Sequence, residues 1–104
     1  MCFLSSLTKL AHMFLLINNY QSEETMPYIV AAEKFASYDA AMQAAKDYAE
    51  DAMVNHYTEN YKDDQLEMEV ANNSVYITGI GKDEKGQPKQ IFMDWWSVAK
   101  LPND

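Results

Sequence analysis

The side chains best able to do chemistry in this chain are carboxylates. Asp47, Glu50 and Asp51 fall in one stretch, Asp63 and Asp64 follow after Glu59, and Glu67 and Glu69 alternate within Leu66-Glu67-Met68-Glu69-Val70. Two acids on one face can hydrolyse a bond as an acid–base pair, but only where their surroundings drive the two proton affinities apart. Alternating acids on the solvent side of a strand have no pocket to do this. Asp63-Asp64-Gln65-Leu66-Glu67 lacks the spacing and central glycine of a calcium loop. His12 and His56 stand far apart and Cys2 is the sole cysteine, so neither a zinc site nor a Cys–His nucleophile pair has its members. His56 reads as a core histidine or one near a helix C-terminus, where its positive form meets the dipole, rather than as a base. Gly79, Gly81 and Gly86 build neither GxGxxG nor a Walker loop, and GxSxG is absent. Asn72-Asn73-Ser74 matches a glycosylation sequon, which matters only in a secretory pathway that nothing else suggests. No enzyme activity, no cofactor and no metal are expected.

The same carboxylates have a clearer use in binding. The chain carries a formal net charge of −8, its eight basic residues are all lysine, and arginine is absent. Arginine's planar fork dominates recognition of phosphate and guanine, so direct nucleic-acid binding is not expected. The band of Asp47, Glu50, Asp51, Glu59, Asp63 and Asp64, interrupted by Lys46 and Lys62, suits a basic protein surface instead. The acids would stand in for phosphates there and speed a salt-sensitive encounter. The plainer account of such a band is a solvated face.

The elements that must position these groups are legible from periodicity. Hydrophobic residues at 48% against 23% charged predict a folded globule. Pro27 to Ala32, ending near Phe35, reads as a strand. Ser37 is an N-cap, and Tyr38, Ala41, Met42, Ala45, Tyr48, Ala49, Ala52, Met53 and His56 or Tyr57 repeat at helical spacing. Leu66–Val70 alternates as a strand, Asn72-Asn73 supplies a hairpin turn, Ser74–Ile80 returns, and 89–98 is the last strand after a polar loop. The order β-α-β-β-β predicts an α+β domain, one helix packed on one face of a mainly antiparallel small sheet. Leu66, Met68, Val70, Val75, Ile77, Ile91, Met93 and Trp95 are expected under the helix. Glu67, Glu69, Tyr76, Thr78, Phe92, Asp94 and Trp96 would point away, with Tyr76, Phe92 and Trp96 as aromatic anchors for a partner. The alternatives for that face are cover by the 58–65 loop or the C-terminal tail, or pairing of two copies.

Residues 1–25 read as a segment apart from the domain at 26–104. The apolar run from Cys2 to Ile17 is interrupted by Ser5, Ser6, Thr8, Lys9 and His12, too short and broken for a transmembrane helix. It lacks a positive n-region and a cleavage site for secretion. Leu4, Leu7, Ala11, Phe14 and Leu15 follow helical spacing and admit an interfacial helix. The codons of Ser22-Glu23-Glu24-Thr25 can spell a purine-rich ribosome-binding site just before Met26. On that reading residues 1–25 are translated leader, the gene is bacterial, phage or plasmid-borne, and Cys2 and His12 drop out. A single cysteine also fits a reducing cytoplasm.

In size, in its Asp47/Glu50/Asp51 and Asp63/Asp64 carboxylates, in lacking arginine and in its helix-on-sheet pattern, the stretch 26–104 resembles the small acidic inhibitors of phages and mobile elements, anti-CRISPR and antirestriction proteins among them. The resemblance is to a class and matches no single family. It implies stoichiometric binding to a nucleic-acid-handling complex without catalysis. The partner-binding residues expected are Asp47, Glu50, Asp51, Asp63 and Asp64 for steering, Tyr76, Phe92 and Trp96 as anchors, and Glu67 and Glu69 beside those aromatics on the sheet face. The alternatives are a homo-oligomeric structural or assembly protein, a homodimer included, using the Phe92/Trp96 face; a membrane-associated protein led by residues 1–20; and, last, a small hydrolase.

Overall fold

A computed structural model describes residues 13–102. Five strands form one open, wholly antiparallel sheet in the order β2-β1-β5-β4-β3, where β1 is Phe14–Ser22, β2 Thr25–Phe35, β3 Leu66–Val70, β4 Ser74–Lys82 and β5 Pro88–Lys100. One helix, α1 (Tyr38–Ala52), connects β2 to β3 and packs on a single face of the sheet. The domain is thus α+β, as the periodicity predicts, with the order β-β-α-β-β-β.

The additional strand comes from the segment read as separate. Phe14–Ser22 runs through the middle of the sheet, paired with β2 on one side and β5 on the other. Phe14 and Leu15 are therefore in a strand, not an interfacial helix. Ser22-Glu23-Glu24-Thr25 is the β1–β2 turn: the Ser22 amide donates to Thr25 Oγ1 at 3.1 Å, and the Glu24 amide donates to Ser22 Oγ at 3.2 Å. Cys2, His12 and the rest of residues 1–12 lie outside the described residues.

Helix α1 starts where the sequence says it should. Ser37 is extended (φ −143°, ψ 154°) and its side-chain oxygen accepts from the Ala40 amide at 3.0 Å, with Asp39 in the positive first turn. Ala41, Met42, Ala45 and Ala49 are its buried residues. Three of those four are alanines, so the helix axis lies close over β1, β4 and β5. Past Ala52 the helix widens into a π turn, Met53–Tyr57, before a last α turn at Thr58–Asn60. In an unbroken α-helix, His56 would lie two turns beyond Ala49 on the sheet side. The wider turn slips the phase by one residue, so Tyr57 takes the inner position at 6% exposure and His56 stays in solvent.

Val75 and Ile77 of β4 are wholly buried beneath α1, each worth roughly 1.5–3 kcal/mol. Leu16, Leu66, Phe92, Trp96 and Val98 complete the main sheet layer. The expected faces hold for β3 and β4 and fail for β5. Phe92, Asp94 and Trp96 are on the helix side at 2%, 8% and 5% exposure, and half-buried Ile91, Met93 and Trp95 alternate with them. The run Ile91-Phe92-Met93-Asp94-Trp95-Trp96 has apolar residues at both phases, so its one charge sets the expected register. That charge is buried, and a strand displaced by one residue reverses every side chain. Gly79 lies opposite Phe92 and makes the inward ring possible. A Cβ at Gly79 would come within 2.0 Å of the ring.

Candidate functional site: an aromatic cleft beside an acidic helix

The residues expected to form one partner surface occupy three places. Asp47, Glu50 and Asp51 are exposed on the solvent side of α1. Asp63 and Asp64 are exposed in the short 3-10 turn leading into β3. Glu67 and Glu69 face out on the opposite side of the sheet, where Glu69 pairs with half-buried Tyr76. Phe92 and Trp96 are core residues, so they cannot anchor a partner. Trp95, opposite Tyr76 in the β4–β5 ladder, takes their place on the outer face.

Neutral amides, not lysines, hold the helix acids. Gln43 Nε2 donates to Asp47 Oδ1 at 3.0 Å, and Asn55 Nδ2 donates to Asp51 Oδ1 at 2.6 Å, both across one turn. Among the described residues the one ion pair is Lys89–Glu23, at 2.5 Å, at the far end of the sheet. The pair holds the Lys89 ammonium above its ordinary proton affinity.

A second feature arises because the sheet is wider than the helix. Helix α1 lies chiefly over β1, β4 and β5 and reaches β2 more sparsely, so β2 stays exposed and a groove opens between it and the helix. Tyr48 Oη reaches across from α1 and donates to Glu33 Oε1 of β2 at 2.7 Å, and that carboxylate raises the phenol's proton affinity. Tyr48 and Glu33 line an apolar hollow of about 260 Å³ with Leu16, Ala31 and Trp96. Asn18 is shared between this hollow and an open cleft of about 650 Å³. Asn18, Tyr20 and Asp94 line the sheet side of the cleft, Tyr28 and Val30 its β2 wall, and His56, Tyr57, Asn60 and Tyr61 the wall from the end of the helix. The register shift between Asn18 and Asn19, opposite Ala31 and Ile29, makes room for Val30 in that wall.

Asp94 is the centre of the cleft. Tyr57 Oη donates to its Oδ2 and Asn18 Nδ2 to its Oδ1, each at 2.7 Å. Phe92 braces the arrangement, stacked on Tyr57 at 4.8 Å between ring centres and 16° between planes, and touching Tyr61 at 5.2 Å and Tyr20 at 6.1 Å. Tyr20 in turn meets Tyr28 edge-on at 5.9 Å. Burial, then the hydrogen bond to Asp94 and its negative charge, push the Tyr57 phenol far above its ordinary value. Burial, with Tyr61, Tyr28 and Asp94 as neighbours, raises Tyr20 as well. Such phenols remain protonated donors at neutral pH, opposite to the tuning of a tyrosine base.

Sequence reasoning passes over this cluster because Asn18 and Tyr20 fall in the segment set apart and Asp94 is assigned to solvent. The available signal is a lone acid inside an apolar strand run, in a chain with seven tyrosines. Among the described residues no group of three metal-binding side chains occurs, and no helix is long and apolar enough to cross a membrane.

Fold and site together define a small α+β domain, a helix laid off-centre on an antiparallel sheet with an aromatic cleft beside it. No family model, curated protein or solved structure matches the chain.

Proposed function

We propose that this chain is a non-enzymatic binding protein that docks the acidic side of α1 onto a basic protein surface. In its most specific form it is an inhibitor of the phage type that occupies a nucleic-acid-binding surface of a host defence complex. One observation carries the reading: Asp47, Glu50 and Asp51 stand exposed together on α1, with amides bonded to Asp47 and Asp51 and no ion pair to any of the three among the described residues. Uncompensated like charges on a rigid helix raise the encounter rate with a positive partner, and that gain fades as salt shortens the Debye length below about 10 Å. The test is capture by the tagged full chain from bacterial lysate at low and moderate salt, beside the triple variant Asp47→Lys, Glu50→Lys, Asp51→Lys. The expected result is a basic, nucleic-acid-handling partner lost at moderate salt, lost from the variant and displaced by added nucleic acid. A captured set unchanged by the reversal refutes the docking role of α1.

Self-association is favoured by a different observation. β2 is an eleven-residue edge strand exposed along nearly its whole length, with Met26, Tyr28, Ile29 and Val30 all in solvent. An unprotected apolar edge is a template for another strand, and a second copy pairing β2 to β2 would satisfy it symmetrically. Sedimentation equilibrium of the full chain and of Ile29→Lys decides this. A dimer dispersed by the lysine supports it, and a monomer at high concentration removes it.

A further inference from the structure

We infer that the cleft between β2 and the end of the helix is a binding site for a small organic ammonium ion carried on an apolar, preferably aromatic, body. Asp94 is 8% exposed, and the groups holding its carboxylate, the Tyr57 phenol and the Asn18 amide, are neutral. Two hydrogen bonds satisfy part of its accepting capacity but cancel none of its charge. No lysine of the described residues forms an ion pair with it. A buried carboxylate without a counter-charge is costly, and an entering cation relieves that cost.

The walls fit the same ligand. Tyr20, Tyr28, Tyr57 and Tyr61 line the cleft that Asp94 also lines. Aromatic faces attract ammonium groups through the ring quadrupole, most strongly where water is partly excluded. At about 650 Å³ the cleft is in the range of small-molecule sites. An anion would meet Asp94, and a neutral ligand would leave the charge uncompensated. This site is separate from the exposed acids of α1, so it stands or falls independently of the proposed docking.

The experiment titrates the full chain with phenethylammonium, 2-phenylethanol and 3-phenylpropionate, following tyrosine ring resonances by ¹H–¹³C NMR. Phenethylammonium is expected to shift Tyr20, Tyr28 and Tyr61 and to bind at least about 10-fold more tightly than the isosteric alcohol, with the carboxylate not binding. Tyr28→Ala, a change at a half-exposed wall, should weaken the ammonium about 2- to 5-fold. Asp94→Asn should abolish the preference for the cation. If that variant does not fold, the ligand series and Tyr28→Ala decide alone. The Asp47/Glu50/Asp51 reversal should leave binding at the cleft tyrosines unchanged within about 2-fold. Equal affinity for the alcohol, or an ammonium that shifts none of the cleft tyrosines, overturns the assignment.

Discussion

Beginning the chain at Met26 should prevent the domain from folding. That fragment lacks β1, which lies between β2 and β5. Leu16 is buried, and its removal from water is worth roughly 1.5–3 kcal/mol. Phe14, Ile17 and Tyr20 are half-buried, and on the same scale β1's side chains together contribute about 4–7 kcal/mol. The loss of Asn18 also strips one hydrogen bond from buried Asp94, a further cost of about 1.5–3 kcal/mol for a charged acceptor. Small domains have net stabilities near the lower end of about 5–15 kcal/mol, so the fragment has nothing left. β2 loses its one partner strand among the described residues at the same time. Urea titration followed by tryptophan fluorescence and circular dichroism should give a cooperative transition for 13–104, which keeps every described strand, and none for 26–104. A 26–104 fragment that unfolds cooperatively at a similar midpoint, with dispersed amide resonances, would refute the assignment of β1 to the fold and restore Met26 as a workable start.

Other expectations concern the cleft and the core. Tyr57→Phe leaves Asp94 Oδ2 without its donor and should lower stability by about 1.5–3 kcal/mol in a urea titration. Because the fold raises the phenol proton affinities of Tyr57 and Tyr20, the unfolded chain loses those protons first on the alkaline side. Their contribution is therefore complete below pH 10 and declines above it, by up to about 1.4 kcal/mol per pH unit for each group, and Tyr57→Phe should flatten a plot of urea midpoint against pH. Gly79→Ala drives a methyl into the Phe92 ring and should cost about 1–3 kcal/mol. Pairing it with Phe92→Leu should recover part of that loss in a double-mutant cycle.

How legible these features are in the sequence depends on how local their causes are. The Ser37 cap, the alanine face of α1 and the Asn72-Asn73 turn each depend on interactions a few residues apart, and the structure has all three. The register of β5 depends on a remote fact: Asp94 has donors at Asn18 and Tyr57, residues 76 and 37 positions away. Without those partners a charge in a strand belongs in water, and that inference inverts the face and miscasts Phe92 and Trp96 as exposed anchors. β1 is obscured differently. Its apolar run adjoins the apolar residues before Met13, and Ser22-Glu23-Glu24-Thr25 has two physical readings, a codon pattern and a turn. The acids of α1 are legible as an exposed face because helical spacing alone places them there. The cleft is not legible, since it exists only where a sheet outruns its helix.

The antiparallel pairing of β1 with β5 has a mechanical consequence. Phe14 lies opposite Lys100, and the Leu101 amide donates to the Met13 carbonyl at 2.8 Å, so the first and last described residues sit side by side at one end of two adjacent central strands. Force applied between those two points would open the ladder bond by bond, as a zipper parts, instead of shearing all its bonds at once. The sheet should yield at low load despite being paired through its centre. The same closeness would let a short peptide join Met13 to Leu101 in a chain trimmed to that span, with new ends opened at Asp83–Gln87. There the Asp83 side chain and Gly86, at φ 78°, hold a tight turn remote from the cleft. A circular permutant cut at that turn would carry β5 ahead of β1 in the chain and keep the order of strands in space unchanged.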